Sequence, residues 1–308
     1  MCIRDRSMFQ DSFWGAVEGF STDRNPVEFR ADDGSTITWH VQRIEDRLRP
    51  VANPAADEVA HLAAVTDHPF KVTFPAASLF ALPFTFKPGV NDDAYASLDE
   101  LVAHCVEIER SLVEDAVAAG ARYVQFDFPA YPYLCDPDWR GAVEATGWSI
   151  DQVLDLAIQT DQQVASGLDD EVTIGMHICR GNNQSRYLCQ GSLDPVAERL
   201  FGDLTYDVIH IEWEEPTRMG GFGALDHVPP DGPIVVLGVV SSKHPELESV
   251  DDILRIIDDA ASHVDVERLA VATQCGFAST WAGNELTEED QWRKLDLVGT
   301  VADRVWGS

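Results

Sequence analysis

The sequence predicts an α/β protein built on a parallel sheet, and three observations carry that prediction. From about residue 70 onward, short apolar runs alternate with periodic helical segments, the pattern of repeated β/α units. The run from 233 to 240, PIVVLGVV, is nearly all apolar, as a strand covered on both faces must be. Several of these runs end in polar, reactive residues, where the loops after parallel strands carry function.

The elements follow in order. Residues 9–20 (FQDSFWGAVEGF) are apolar and aromatic, a short helix or a loop packed on the body. Residues 27–44 alternate as a hairpin should, with Asp33-Gly34 as its turn, and read as an exposed excursion from the main fold. Residues 70–76 (FKVTFPA) form the first core strand, ended by Pro75. A Pro-, Phe- and Gly-rich loop covers 82–91, and a periodic helix from Leu98 to Ala119 is closed by Gly120. The second strand is YVQFDFP, 123–129. A helix follows from Asp151 to Gly167 with Ser149 as its N-cap. Strands at 172–178, 207–212, 233–240 and 268–274 come next. Helices near 194–201, 250–262 and 287–305 follow them, the last opened by the capping signature Thr287-Glu288-Glu289-Asp290.

That makes six core strands, in an open doubly wound sheet or a closed barrel. No G-x-G-x-x-G or Walker A loop follows a strand, so a nucleotide-binding fold has no positive support. Six strands are too few for an eight-stranded barrel, and loss of two β/α units at the front would explain the shortfall. Residues 1–7 (MCIRDRS) fit nothing that follows and read as an artefactual tag, with the native chain cut upstream of Met8. Residues 8–308 are expected to form a single domain.

Composition sets further bounds. With 308 residues and 45% hydrophobic content the chain can bury a large core. A net charge of −31 repels nucleic acid and anionic membranes and argues against both as partners. The absence of a membrane-length apolar run and of a secretory leader leads to the expectation of a soluble, cytoplasmic protein. Six scattered cysteines, Cys2, Cys105, Cys135, Cys179, Cys189 and Cys275, are expected to be reduced thiols.

Chemistry gathers at the strand ends. Asp127 closes the second strand, His177 and Cys179 the third, and Glu212 the fourth; Ser241, Ser242, Lys243 and His244 follow the fifth, and Cys275 the sixth. In a parallel barrel these face one mouth. His177 and Cys179 are two apart, so both point to the same side of a strand. Together with Glu212 and Cys275 they form a tetrahedral N, S, O, S donor set suited to Zn²⁺. The residues leave a second reading open, in which the cysteines are core thiols and Glu212 pairs with Arg218 or Arg180.

The segments YVQFDFP, GMHICRGN, DVIHIE, LGVVSSKHPELE and TQCGF resemble the C-terminal catalytic barrel of cobalamin-independent methionine synthases, and more closely the short single-domain members of that family. The resemblance implies a (β/α)8 TIM barrel of the methionine synthase/uroporphyrinogen decarboxylase type, with its first one or two β/α units missing. It implies a catalytic Zn²⁺ on His177, Cys179, Glu212 and Cys275, and contact between Asp127 and the amino group of homocysteine. The activity it implies is transfer of a methyl group, from 5-methyltetrahydrofolate, to the homocysteine thiol.

Three departures stand out. Phe128 follows Asp127 where the family has Glu. Ser242-Lys243-His244-Pro245 replaces the D-x-H-S-P motif, so Lys243 or His244 is the candidate proton donor. The family's Gly-Ser turn and D-G-E motif of the first strands are not found. Tyr131, Tyr133 and Trp213 are candidates either to stack on a pterin or simply to pack. Competing readings are zinc-dependent alkyl transfer to another thiol such as coenzyme M, a zinc hydrolase, and a non-catalytic barrel. The hydrolase lacks both HExxH and a deaminase signature.

Overall fold

The computed structural model describes residues 10–21, 25–87, 89–213 and 216–307. The tag reading of residues 1–7 lies outside them. Helix α1 (Asp11–Trp14) leads into strand β1 (Val17–Phe20). Strands β2 (Asn25–Arg30) and β3 (Thr36–Val41) form the expected hairpin, Val27 opposite Trp39 and Phe29 opposite Ile37. Its turn has Gly34 at φ 81°, and Asp33 Oδ1 accepts the Ser35 N–H at 2.8 Å. Strand β4 (Ile44–Pro50) runs back antiparallel to β1.

The β/α repeat starts with α2 (Pro54–Val65), capped by Asn53, and β5 (Val72–Pro75), which is buried throughout. Then come α3 (Leu98–Ala118), capped by Ser97, β6 (Tyr123–Asp127), α4 (Tyr131–Cys135), α5 (Pro137–Glu144) and α6 (Ile150–Ala165). Ser149 and Gln152 form a full capping box on α6. The remaining order is β7 (Thr173–Ile178), α7 (Asp194–Asp203), β8 (Val208–Glu212), α8 (Pro216–Met219), β9 (Ile234–Val240), α9 (Val250–Ala260), β10 (Leu269–Thr273) and α10 (Glu288–Trp306). Thr287 and Asp290 close the capping box on α10.

Strands β5 to β10 form one parallel sheet in the order β10-β9-β8-β7-β6-β5, each strand beside its successor. A doubly wound sheet reverses its order at a switch point, and this one does not. With right-handed crossovers, a monotonic order puts every connecting helix on the same face, as in a barrel wall. The sheet also curls. In a flat sheet β7 and β10, three strand spacings apart, would lie about 14 Å from each other. Here His177 Nε2 on β7 is 3.0 Å from the Gln274 carbonyl just after β10.

Alternation assigns the two faces. Phe74, Phe126, Met176, Ile209, Ile211 and Leu237 are buried with Leu101, Val113, Val153 and Leu200 of the helices in one core cluster. Thr73, Gln125, Asp127, His177 and His210 belong to the concave face, and all line one cavity. The hairpin corrects the expectation of an exposed excursion. Its Val27, Phe29 and Trp39 face the cavity, and Arg30 exchanges backbone hydrogen bonds of 2.7 and 3.0 Å with Tyr187 in the loop after β7. Strict alternation gives β2 and β3 one apolar face, and that face turns inward.

Candidate metal centre

Four strand ends build the site. β7 delivers His177 and, just past its end, Cys179; β8 ends in Glu212; Cys275 follows β10; Asp127 ends β6. Donor atoms of His177, Cys179 and Cys275 all lie within 4.8 Å of one another, the metal-compatible group among the described residues. Glu212 borders the group, with Oε2 3.7 Å from Cys275 Sγ.

Gly238 on β9 is what allows this approach. A Cβ there would sit 2.9 Å from Ile211 O, 3.1 Å from Gln274 Cα and 3.2 Å from Thr273 O, all backbone atoms. A residue with a side chain would push β8 and β10 away from β9. Gly181 is similarly constrained. Its φ is 89°, and a Cβ would meet Leu188 Cβ at 2.7 Å. This lets the loop after Cys179 fold back, where Leu188 and Cys189 donate to the Arg180 carbonyl at 2.7 and 2.9 Å. Phe128, directly after Asp127, also has a left-handed backbone, φ 57°, a conformation that costs a non-glycine residue about 1–2 kcal/mol. It turns the chain at the end of β6 while its N–H donates to the His177 carbonyl at 3.0 Å.

The electrostatics are organised around these groups. His177 Nδ1 lies 3.5 Å from Asp127 Oδ1, and Asp127 accepts from Gln125 Nε2 at 2.7 Å. Burial alone would lower the His177 pKa, but the Asp127 carboxylate and the Cys179 sulfur raise it to about 9. With Nδ1 turned to Asp127, Nε2 is the nitrogen at the Gln274–Cys275 edge. A carboxylate behind an imidazole is the arrangement that orients metal-binding histidines. The neighbouring Cys275 thiol draws the Cys179 pKa down, while Cys179, with burial, pushes Cys275 well up. Metal binding requires both thiols to be deprotonated, so a cation here would displace their protons.

Glu212 is fully buried. Burial would raise its pKa, but Lys243 and the Arg180 N–H hold it ionised. Lys243 Nζ is 2.5 Å from Oε1, and Arg180 N is 2.5 Å from Oε2. This departs from the pairing with Arg218 or Arg180 side chains expected of a metal-free core: Arg218 pairs with Asp32 at 2.9 Å, and Arg180 contributes its backbone. On the other flank His210 accepts or donates at 3.1 Å to the Tyr123 hydroxyl. Burial first, then the nearby Lys71 and His177 charges, keep that imidazole neutral.

The two candidate proton donors separate. Lys243 reaches the site but is committed to Glu212. His244 is exposed and does not line the cavity. Of the candidate stacking residues, Tyr133 lines the cavity against Trp139 and Phe84. Tyr131 is buried and donates to Asp161 at 2.8 Å, and Trp213 packs on Phe222 with ring centroids 4.4 Å apart. The cavity holds about 330 Å³ above the metal-compatible group. Its outer wall is aromatic, from Trp14, Phe29, Trp39, Phe84, Tyr133 and Trp139. Phe29 and Trp39 come from the hairpin; alternation marks their apolar face, while contacts distant in sequence set what that face packs against.

The family model described as cobalamin-independent synthase, catalytic domain, matches residues 88–289. The chain belongs to that family. The uncharacterized protein YxjG of Bacillus subtilis (strain 168) is 33% identical over 256 residues, 82% of this chain and 66% of the relative, so the chain spans about two thirds of that relative's length. A crystal structure of the putative vitamin-B12 independent methionine synthase from Listeria monocytogenes superposes with a TM-score of 0.68 at 24% identity, over 97% of this chain and 78% of that one. The structure of a B12-independent methionine synthase from Shewanella sp. W3-18-1, in complex with selenomethionine, gives a TM-score of 0.68 at 18% identity, over 98% and 80% of the two chains. The methionine-synthase resemblance read from the strand-end motifs is borne out at the level of family and fold. No helix among the described residues is long and apolar enough to cross a membrane.

Proposed function

We propose that this chain is a zinc-dependent methyltransferase that moves a methyl group from 5-methyltetrahydrofolate to the thiol of homocysteine, giving methionine. The observation that supports it is the convergence of one imidazole and two thiols within 4.8 Å at the floor of the cavity, with Glu212 alongside. Those residues fit the metal: three soft or borderline donors and a carboxylate suit Zn²⁺ far better than Mg²⁺ or Ca²⁺. His177, Cys179, Cys275 and Glu212 would hold it. Zinc on this anionic set is a weak Lewis acid for hydrolysis but lowers the pKa of a bound thiol, keeping it a nucleophile at neutral pH.

The other residues supply position. Asp127 faces the cavity, where it would take an α-ammonium group, and its contact with Nδ1 orients the His177 ring. The aromatic wall would offer stacking faces to a pterin. The selenomethionine complex of the Shewanella protein supports a product of this class in the fold.

The test is direct. Purified protein given homocysteine and methyl-labelled 5-methyltetrahydrofolate is expected to form labelled methionine, and a zinc chelator is expected to stop it. Labelled product that persists after zinc is removed, or zinc-loaded protein that transfers no methyl group to homocysteine, would overturn the assignment.

A further inference from the structure

The Glu212 carboxylate is held on both oxygens, Oε2 by the Arg180 N–H at 2.5 Å and Oε1 by Lys243, and Oε2 also borders the metal-compatible group. Oε2 lies 3.7 Å from Cys275 Sγ, beside the metal-compatible group, while Oε1 is 2.5 Å from Lys243 Nζ. Both side chains are almost completely buried, at 0% and 2% exposure. The loop carrying Lys243 is tied to the loop after β7 and to Cys275 after β10. Its carbonyl accepts from Ser185 Oγ at 2.6 Å, its N–H donates to Ser241 Oγ at 3.1 Å, and Ser242 Oγ accepts the Cys275 N–H at 3.3 Å. The backbone that carries Lys243 is therefore fixed by contacts that do not involve Glu212.

Four-coordinate zinc has no position to spare when His177, Cys179, Cys275 and Glu212 all bind it. With all four bound, a substrate thiol would gain a four-coordinate position by displacing one of them. Of the four, Glu212 is the one with a buried cation already beside it. A carboxylate released into this interior without a partner would cost several kcal/mol, and Lys243 removes that penalty. Building on the function proposed above, we propose that Lys243 is a positioning residue that makes Glu212 the exchangeable ligand, receiving its carboxylate when the substrate thiol takes its place on the metal. The exchange would balance: Glu212 would give up its bond to the metal and pair with Lys243, the substrate sulfur would take its place, the thiol proton would leave to solvent, and a thiolate would replace a carboxylate of equal charge. This role differs from the proton-donor role expected of Lys243 from the family motif.

The test uses cobalt(II) in place of zinc, because cobalt–thiolate charge-transfer absorption counts bound sulfurs. In the parent, homocysteine is expected to raise that band by about half, as two thiolates become three. In Lys243→Met, Glu212 loses its cationic partner and keeps only the Arg180 N–H. Cobalt is expected to bind about tenfold tighter or more in chelator competition, and the third-thiolate signal is expected to need at least about tenfold more homocysteine. Lys243→Arg is expected to restore parental behaviour in part. If Lys243→Met does not fold, the Glu212→Gln/Lys243→Met double variant decides. With no carboxylate to move, it is expected to take homocysteine at parental concentrations or lower, and a need for tenfold more would overturn the proposal. A parent that shows the third-thiolate band beside a Lys243→Met variant identical to it sinks the proposal alone. A parent that binds cobalt and never shows the band sinks the thiol-activation reading and the proposal with it.

Discussion

Gly238→Ala tests whether the fold, through one close approach, sets the affinity of the metal site. The added methyl would lie 2.9 Å from Ile211 O, 3.1 Å from Gln274 Cα and 3.2 Å from Thr273 O. None of these is a flexible side-chain end, so β8 and β10 must move apart from β9. Overpacking of this kind costs about 1–3 kcal/mol. The atoms that move precede Glu212 and Cys275 directly, so the strain falls on the donor set. Taken up there, it corresponds to about a 5- to 150-fold loss of zinc affinity. Taken up by the fold, it lowers Tm by about 2–10 °C. Chelator competition and thermal unfolding of the metal-free protein measure the two shares. A variant with parental zinc affinity and parental Tm would refute the claim that Gly238 governs this approach.

Other consequences follow from the same geometry. Asp127→Asn removes the carboxylate behind His177 Nδ1, and zinc affinity is expected to fall about 10- to 100-fold in chelator competition; an unchanged affinity would show that Asp127 does not orient the ring. Glu109 on α3 is fully buried with neither carboxylate oxygen hydrogen-bonded, and burial, with Asp161 nearby, raises its pKa well above 4.5. A raised carboxyl pKa contributes its full stability below the unfolded value and loses it as pH rises toward the folded one. Glu109→Gln is therefore expected to gain on the parent by up to about 1.4 kcal/mol per pH unit above pH 4.5, read from denaturant midpoints at several pH values. Parallel stability curves for the two proteins would contradict this.

Most of the scaffold was legible because its signals are local. Alternation, apolar runs and the caps at Ser149 and Thr287 depend on neighbours a few residues away, and these elements lie within a residue or two of their expected bounds. His177, Cys179, Glu212 and Cys275 were legible as strand-end residues because parallel strands send their C-terminal ends to one mouth. The rest depends on contacts distant in sequence. The burial of Lys243 against Glu212 and the exposure of His244 are set by a single backbone step within Ser242-Lys243-His244-Pro245. The inward face of the hairpin depends on Arg30 meeting Tyr187, some 150 residues later. Gly238 read as one more apolar-strand residue, although it is the point where three backbones meet.

The most direct measurement is metal content, by mass spectrometry, on protein purified without chelator beside a Cys275→Ser variant. About one zinc per chain in the parent, lost from a variant that still folds, is the expected result. A folded parent without zinc, or a Cys275→Ser variant that keeps its full complement, would contradict a centre built from His177, Cys179, Glu212 and Cys275.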